Sequence, residues 1–271
     1  MRIPAALRLV HPAPAAAVTA LSGVLALVIA TQNGAVPVSR VLLVVLSVAG
    51  SQIATGALND WADRRRDRNA RPEKPIPAGE ISAEAALWVT AFGIGLQLVG
   101  SLPLGILPTI LGLAALSSAA VYDLGLSRTP VSVIPYLVSF GLLPLWIAAG
   151  LGVPLDRVLL AVPLIAPFAA AAHLANTLRD WDADAAVGSR SLSQVLGRQG
   201  SRRAALILAL GTGLAAGALA FWAGRLGIAT AVLGVIGLLA VAQGARNADA
   251  LWYGILAAAV LWAGAWALST G

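Results

Sequence analysis

The sequence predicts an all-α polytopic membrane protein with nine transmembrane helices, internally duplicated, its N-terminus in the cytoplasm. Three observations carry this. The residues are 59% hydrophobic and only 11% charged, whereas a soluble domain carries roughly 25% charged residues. Nine apolar stretches approach the ~20 residues that a spanning helix needs. The remaining polar residues gather into two islands, "NDWADRRRDRNARPEKPIPAG" (59–79) and "HLANTLRDWDADAAVGSRSLSQVLG" (173–197).

The first stretch, 12–31, follows "MRIPAALRLVHPAPAAAVTALSG". That opening has no clear cleavage site, so it reads as a retained helix and not as a signal peptide. The second, 37–58, ends where the first island begins. The third and fourth, 83–102 and 104–122, divide at Leu102-Pro103. The fifth is 131–150. The sixth, 156–178, runs into the second island. The seventh, eighth and ninth are 203–223, 227–243 and 249–269, the eighth being short. Pro and Gly inside such segments are tolerable because neighbouring helices re-satisfy freed backbone groups. Small side chains suit close helix packing in lipid.

Orientation follows from the basic residues. With nine spans, fifteen of the eighteen Lys and Arg fall on the N-terminal side, Arg2 and Arg8 among them. Only Arg40, Arg157 and Arg225 fall on the other. Eleven of the twelve acids share the basic side, Asp156 being the exception. The expectation is an integral protein of a bacterial-type cytoplasmic membrane with its polar loops in the cytoplasm. The net charge of +6 therefore reflects topology. Nucleic-acid binding is excluded, because the bases are interleaved with acids. The chain has no Cys, so disulfides and Cys-ligated metals are excluded too.

The islands share a spacing. Asn59, Asp63 and Asp67 are four apart, and so are Asn176, Asp180 and Asp184, each 117 residues later. Each island ends an even-numbered span and continues into a basic loop. A duplication with two facing islands is the economical reading. On a helix, positions i, i+4 and i+8 fall within about 80°. Each island is thus expected to present one Asn and two Asp on one stripe, with Asp60 near its edge. Converging carboxylates without cations repel, and they either take protons or bind metal. Hard oxygen donors without Cys or clustered His favour Mg²⁺. Mg²⁺ commonly completes its shell with phosphate, so the site predicts a diphosphate with Arg and Lys nearby. The Arg64–Arg66 run reads as a topological signal.

These motifs resemble the UbiA superfamily of intramembrane prenyltransferases. Asn59, Asp60, Asp63 and Asp67 fit its NDxxDxxxD pattern, and Asp180 and Asp184 fit its DxxxD pattern. The resemblance covers most of the chain, a single domain over 1–271. It implies nine helices ringed around a central cavity, with the Asp motifs coordinating Mg²⁺ and a prenyl diphosphate. "RPEKPIPAG" looks like the family's RPxRPIPSG, with Lys74 where Arg is common. Its spacing looks like the chlorophyll synthase and archaeal ether-lipid synthase branches. "YDLGLSR" sits where members carry a Tyr followed by a base for the diphosphate. Here these are Tyr122 and Arg128, with Leu126 at the alternative Lys position and Asp123 as an unhelpful anion. "LRLVHP" resembles the segment entering the first helix, where an Arg often faces substrate; Arg8 occupies that place.

The expected roles follow. Asp60, Asp63, Asp67, Asp180 and Asp184 hold metal, with Asp63, Asp67, Asp180 and Asp184 central to catalysis. Asn59, Arg71, Lys74, Tyr122, Arg128, Asn176 and Arg179 serve the diphosphate. Ionisation of an allylic diphosphate then yields a carbocation in an apolar, water-free cavity, and a lipophilic aromatic, quinone-like or polyol acceptor attacks it. Trp61 and Trp181 are either interfacial anchors or shields for the cation. His11, His173, Gln52, Gln97 and Tyr136 are the few polar groups able to line a pocket or bond between helices. A UbiA-type terpene cyclase would use the same ionisation without an external acceptor. A transporter would want its charges near the midplane and not all at one face.

Overall fold

A computed structural model describes residues 4–34, 36–186 and 188–268. Arg2 and the last residue of the ninth stretch, Ser269, lie outside the described residues.

Eleven α-helices follow in order: α1 Ala5–Leu9, α2 Pro12–Gln32, α3 Val38–Ala70, α4 Ala83–Ser101, α5 Ile106–Leu124, α6 Ile134–Leu151, α7 Val162–Arg179, α8 Trp181–Ala186, α9 Leu192–Trp222, α10 Ile228–Ala242 and α11 Ala248–Leu268. There is no strand among the described residues. Among the described residues, nine helical segments are long and apolar enough to cross a membrane, and they match the nine stretches read from sequence.

Local chemistry sets the joints. Pro12 opens α2 at its first position, where a missing N–H costs nothing. Just before it His11 is left-handed, with φ 50°. α4 and α5 do divide at the expected place, through a 3₁₀ turn Leu102–Leu104 and a Gly105 at φ 124°. α3 has 33 residues, about 50 Å of helix. That exceeds the roughly 30 Å of bilayer hydrocarbon, so its last turns carry the first island beyond the apolar zone. α9 starts at Leu192, earlier than the apolar run, and is interrupted at Gly197 (φ 73°, ψ 161°).

Packing divides into two cores. One joins α2, α3, α5 and α6 around Leu25, Val44, Val48, Leu143, Trp146 and Ile147. The other joins α7, α9, α10 and α11 around Leu174, Leu178, Ala205, Val241, Leu251 and Ile255. α3 and α4 touch backbone to backbone. A Cβ at Gly93 would lie 2.5 Å from the Ala54 nitrogen, and one at Gly50 would lie 2.4 Å from the Gln97 nitrogen. Small residues at such seams are how helices gain contact in lipid, where no hydrophobic drive separates helix from solvent. Between the cores lies a cavity of about 1500 Å³, lined by side chains from both.

Candidate active site

Both islands reach this cavity, but not as two equivalent stripes. The first lies wholly on α3, whereas α7 stops at Arg179 and the chain turns at Asp180 before α8. Asn176, Asp180 and Asp184 thus sit on a helix, a break and a second short helix. The expected single stripe for the second motif is corrected accordingly.

On α3 the acids face two ways. Asn59, Asp63 and Arg66 line the large cavity, together with Asn176, Asp180 and Asp184. Asp60 and Asp67, seven residues apart and so nearly eclipsed on a helix, turn to Lys74. Lys74 Nζ lies 2.8 Å from Asp60 Oδ1 and 2.8 Å from Asp67 Oδ2. Burial alone would push Lys74 down; the charges and hydrogen bonds of Asp60 and Asp67 outweigh it and hold the amine above its ordinary value. Asp60 Oδ1 also meets His11 Nε2 at 3.1 Å. A small polar pocket of about 400 Å³ lies here, bordered by Arg8, His11, Asp60, Arg71, Lys74 and Asp180.

The carboxylates do not converge bare. Asp63 accepts from Arg66 (2.7 Å) and Arg128 (2.6 Å). Arg66 also lies 3.6 Å from Asp184, spanning the two motifs. Arg71 pairs with Asp180 at 2.6 Å. Burial would lower Arg71, but the charge and hydrogen bond of Asp180 raise it above its usual value. Asp184 is pushed up, chiefly by burial, with Arg66 opposing and Asp180 adding to the rise. Among the described residues no three His, Asp or Glu side chains are gathered into a ready metal cluster. The donor set nevertheless suits Mg²⁺: it is all oxygen, and Asp67 Oδ1 and Asp60 Oδ2 are buried with no hydrogen-bond partner.

Of the residues expected at the diphosphate, Arg71, Tyr122 and Asn176 line the large cavity, Lys74 borders the small one, and Arg128 reaches Asp63. Asn59, which also lines the large cavity, donates to Asp123 Oδ1 at 3.0 Å. The anion that looked unhelpful beside Tyr122 is thus bound by the first motif. Arg179 lines the large cavity as well, and its guanidinium pairs with Asp249 (2.8 Å) and lies against Tyr253. Arg66, read as a topological charge, lines the cavity and pairs with both motifs. The only local signal was its position three after Asp63. Arg8 pairs with Glu80 and the Glu73 carbonyl, tying α1 to the loop after α3.

Trp61 and Trp181 lie under Arg64 (4.2 Å) and Arg198 (5.4 Å), so these rings stack on the chain's own guanidinium groups. His173 is fully buried and shares a hydrogen bond with Ser132 Oγ at 3.0 Å, and Ser132 also accepts from Leu192 N. It fastens the loops flanking the second motif. Tyr122 packs edge to face on both Tyr136 and His173, with Tyr122 and Tyr136 ring centroids 5.3 Å apart, and Tyr136 is tilted against His173.

Known proteins share this fold. In sequence the chain is 29% identical over 202 residues to the digeranylgeranylglyceryl phosphate synthase of Thermococcus gammatolerans, covering 71% of this chain and 68% of that one. It spans about two thirds or less of two others of that name. In structure it resembles a UbiA homologue from Aeropyrum pernix K1 (TM-score 0.76, 21% identity, 91% of this chain and 96% of that one). It also resembles one from Archaeoglobus fulgidus bound to GPP and Mg²⁺ (TM-score 0.70, 18% identity, 98% and 100%). The UbiA prenyltransferase family pattern matches residues 16–250. An apolar helical bundle whose two acidic motifs meet over one central cavity, matched along most of its length, makes this chain a member of the UbiA prenyltransferase family.

Proposed function

We propose that this chain, as one domain over 1–271 with duplicated halves, transfers an isoprenyl group from a prenyl diphosphate to a lipophilic acceptor inside the membrane, with Mg²⁺. The observation that carries the reading is Arg66 reaching both Asp63 and Asp184, which joins the two acidic motifs at one end of an apolar cavity. The Archaeoglobus homologue's GPP and Mg²⁺ support the donor and the metal. The relatives' name supports a glycerol phosphate acceptor, a polyol, over an aromatic one. The basic loops at the motif end support a cytoplasmic site.

Asp63, Asp180 and Asp184 would hold Mg²⁺ from the large cavity, with Asp67 and Asp60 behind Lys74. Held by these carboxylates, Mg²⁺ would supply charge neutralisation for a departing diphosphate. Arg66, Arg71 and Arg128 are already placed among the carboxylates, within reach of phosphate oxygens, and stabilise the same charge. Asn59 donates to Asp123 within the same cavity lining, which satisfies part of that carboxylate beside the site. Tyr122 and Tyr136 line the same cavity with their rings in contact, and their π faces would favour an allylic carbocation there. The apolar walls exclude water, so the acceptor and not hydroxide captures the cation.

The test uses purified protein with farnesyl or geranylgeranyl diphosphate, Mg²⁺ or EDTA, and a geranylgeranylglyceryl phosphate acceptor. Diphosphate release should require Mg²⁺ and be lost in Asp63→Ala and Asp180→Ala. Release indifferent to both would refute the mechanism. Release without acceptor, with a cyclic hydrocarbon as product, would make the protein a cyclase.

A further inference from the structure

Among the described residues four acids are buried: Asp60, Asp63, Asp67 and Asp123. The first three have cationic partners, Lys74 for Asp60 and Asp67, and Arg66 and Arg128 for Asp63. Asp123 pairs with no cation among the described residues. Asn59 donates to its Oδ1, and its Oδ2 is buried with no hydrogen-bond partner. A buried acceptor atom without a donor is costly, and more so when charged. On a cavity wall such an atom calls for a donor that arrives with a substrate.

The place of Asp123 narrows what that donor is. It lines the large cavity together with Tyr122, Tyr136, Asn59 and Asp63. Asn59 precedes Asp63 by four residues of α3, about 6 Å along the axis toward its apolar span. Asp123 is therefore anchored between the charged groups of the motifs and the apolar walls. With the diphosphate among the motif cations and the isoprenyl tail among the apolar side chains, the allylic carbon falls at this level. Neither part of that donor substrate suits Oδ2. Phosphate oxygens repel a carboxylate, and a hydrocarbon tail has no N–H or O–H to offer. A hydroxyl on the acceptor does.

We propose that Asp123 is a catalytic residue that receives the acceptor: its Oδ2 accepts the hydrogen bond of an acceptor hydroxyl and then takes the proton. This rests on the prenyl-transfer reading above and narrows its acceptor to an alcohol. The allylic C–O bond breaks, and its electron pair leaves with the diphosphate. The acceptor oxygen bonds to the allylic carbon, and the O–H proton passes to Asp123. The products are an ether, diphosphate and a protonated carboxyl group. Asn59 fixes the carboxylate at Oδ1 and leaves Oδ2 to the acceptor. An analogue without the hydroxyl leaves that oxygen unpaired and is rejected.

The experiment gives the purified protein geranylgeranyl diphosphate, Mg²⁺ and geranylgeranylglyceryl phosphate, and follows ether formation and diphosphate release separately. Asp123→Asn keeps the shape of the side chain and removes the base. Its ether formation should fall by about 10²-fold or more, with the Mg²⁺ concentration for half-maximal release unchanged. Formate added to Asp123→Ala should restore ether formation in part, as a small base in the space left by the carboxylate. If Asp123→Asn shows no unfolding transition, formate rescue of Asp123→Ala decides, and its failure overturns the proposal. Ether formation by Asp123→Asn at the wild-type rate overturns it too. So does a raised Mg²⁺ requirement, which would make Asp123 a metal ligand. A wild type that releases diphosphate and forms no ether overturns the role of Asp123 alone. A wild type that releases no diphosphate overturns the reading of the function itself.

Discussion

Lys74 should be a keystone of the folded site, and Lys74→Met should show it. Its amine lies 2.8 Å from both Asp60 and Asp67, which are 2% and 1% exposed. At an effective dielectric of about 20, each contact is worth roughly 6 kcal/mol of gross attraction. Desolvation returns much of that. Removing one partner of a buried ion pair still costs about 3–5 kcal/mol, because a buried charge is left alone. His11 relieves only Asp60, through one hydrogen bond. For a chain of this size the loss corresponds to a fall of roughly 10 °C in Tm. The assay is thermal unfolding in detergent with EDTA, so that no divalent ion replaces the amine. Lys74→Met combined with Asp60→Asn and Asp67→Asn should recover at least half of the loss, since nothing charged is then buried unpaired. A fall below 2 °C in the single variant, or a triple variant no more stable than the single, would refute the reasoning.

Two further outcomes follow from geometry. Arg66→Gln should lower diphosphate release by about 10²-fold, as loss of a transition-state donor does. Arg64→Gln, which loses only its place on Trp61, should stay within about threefold under the same assay; equal effects would return Arg66 to a purely topological role. Gly93→Ala should destabilise the protein by about 1–3 kcal/mol through overpacking against α3, because the new carbon would lie 2.5 Å from the Ala54 nitrogen. Gly95→Ala meets nothing within 4 Å, so its unfolding temperature should match wild type, and a shared loss would contradict the seam.

The nine spans were legible because hydropathy is a local property and lipid demands it continuously. Their polar ends were less so. The first island has neither Gly nor Pro before Pro72, so α3 runs on through it, well past the point where hydropathy falls. The second has the same spacing and no Gly or Pro before Gly188, yet its helix breaks at Asp180. Residue type alone did not announce that break. Arg179 was read as a phosphate contact, and it does line the cavity. Its pairing with Asp249, seventy residues away on α11, is what nothing local foretold.

The deeper lesson lies in what the two motifs do not share. Positions 117 apart keep the acids: Asp63 and Asp67 become Asp180 and Asp184. They do not keep the cations. Arg66, Arg71 and Lys74 correspond to Ala183, Gly188 and Ser191. The structure shows the consequence. Asp180 and Asp184 take their ion pairs from Arg71 and Arg66 across the cavity and not from their own segment. The first half therefore supplies positive charge for both, and the second supplies mainly carboxylate. That asymmetry gives the halves a reason to face each other before any substrate arrives. It also places guanidinium groups between the two sets of acids, where a diphosphate would need them.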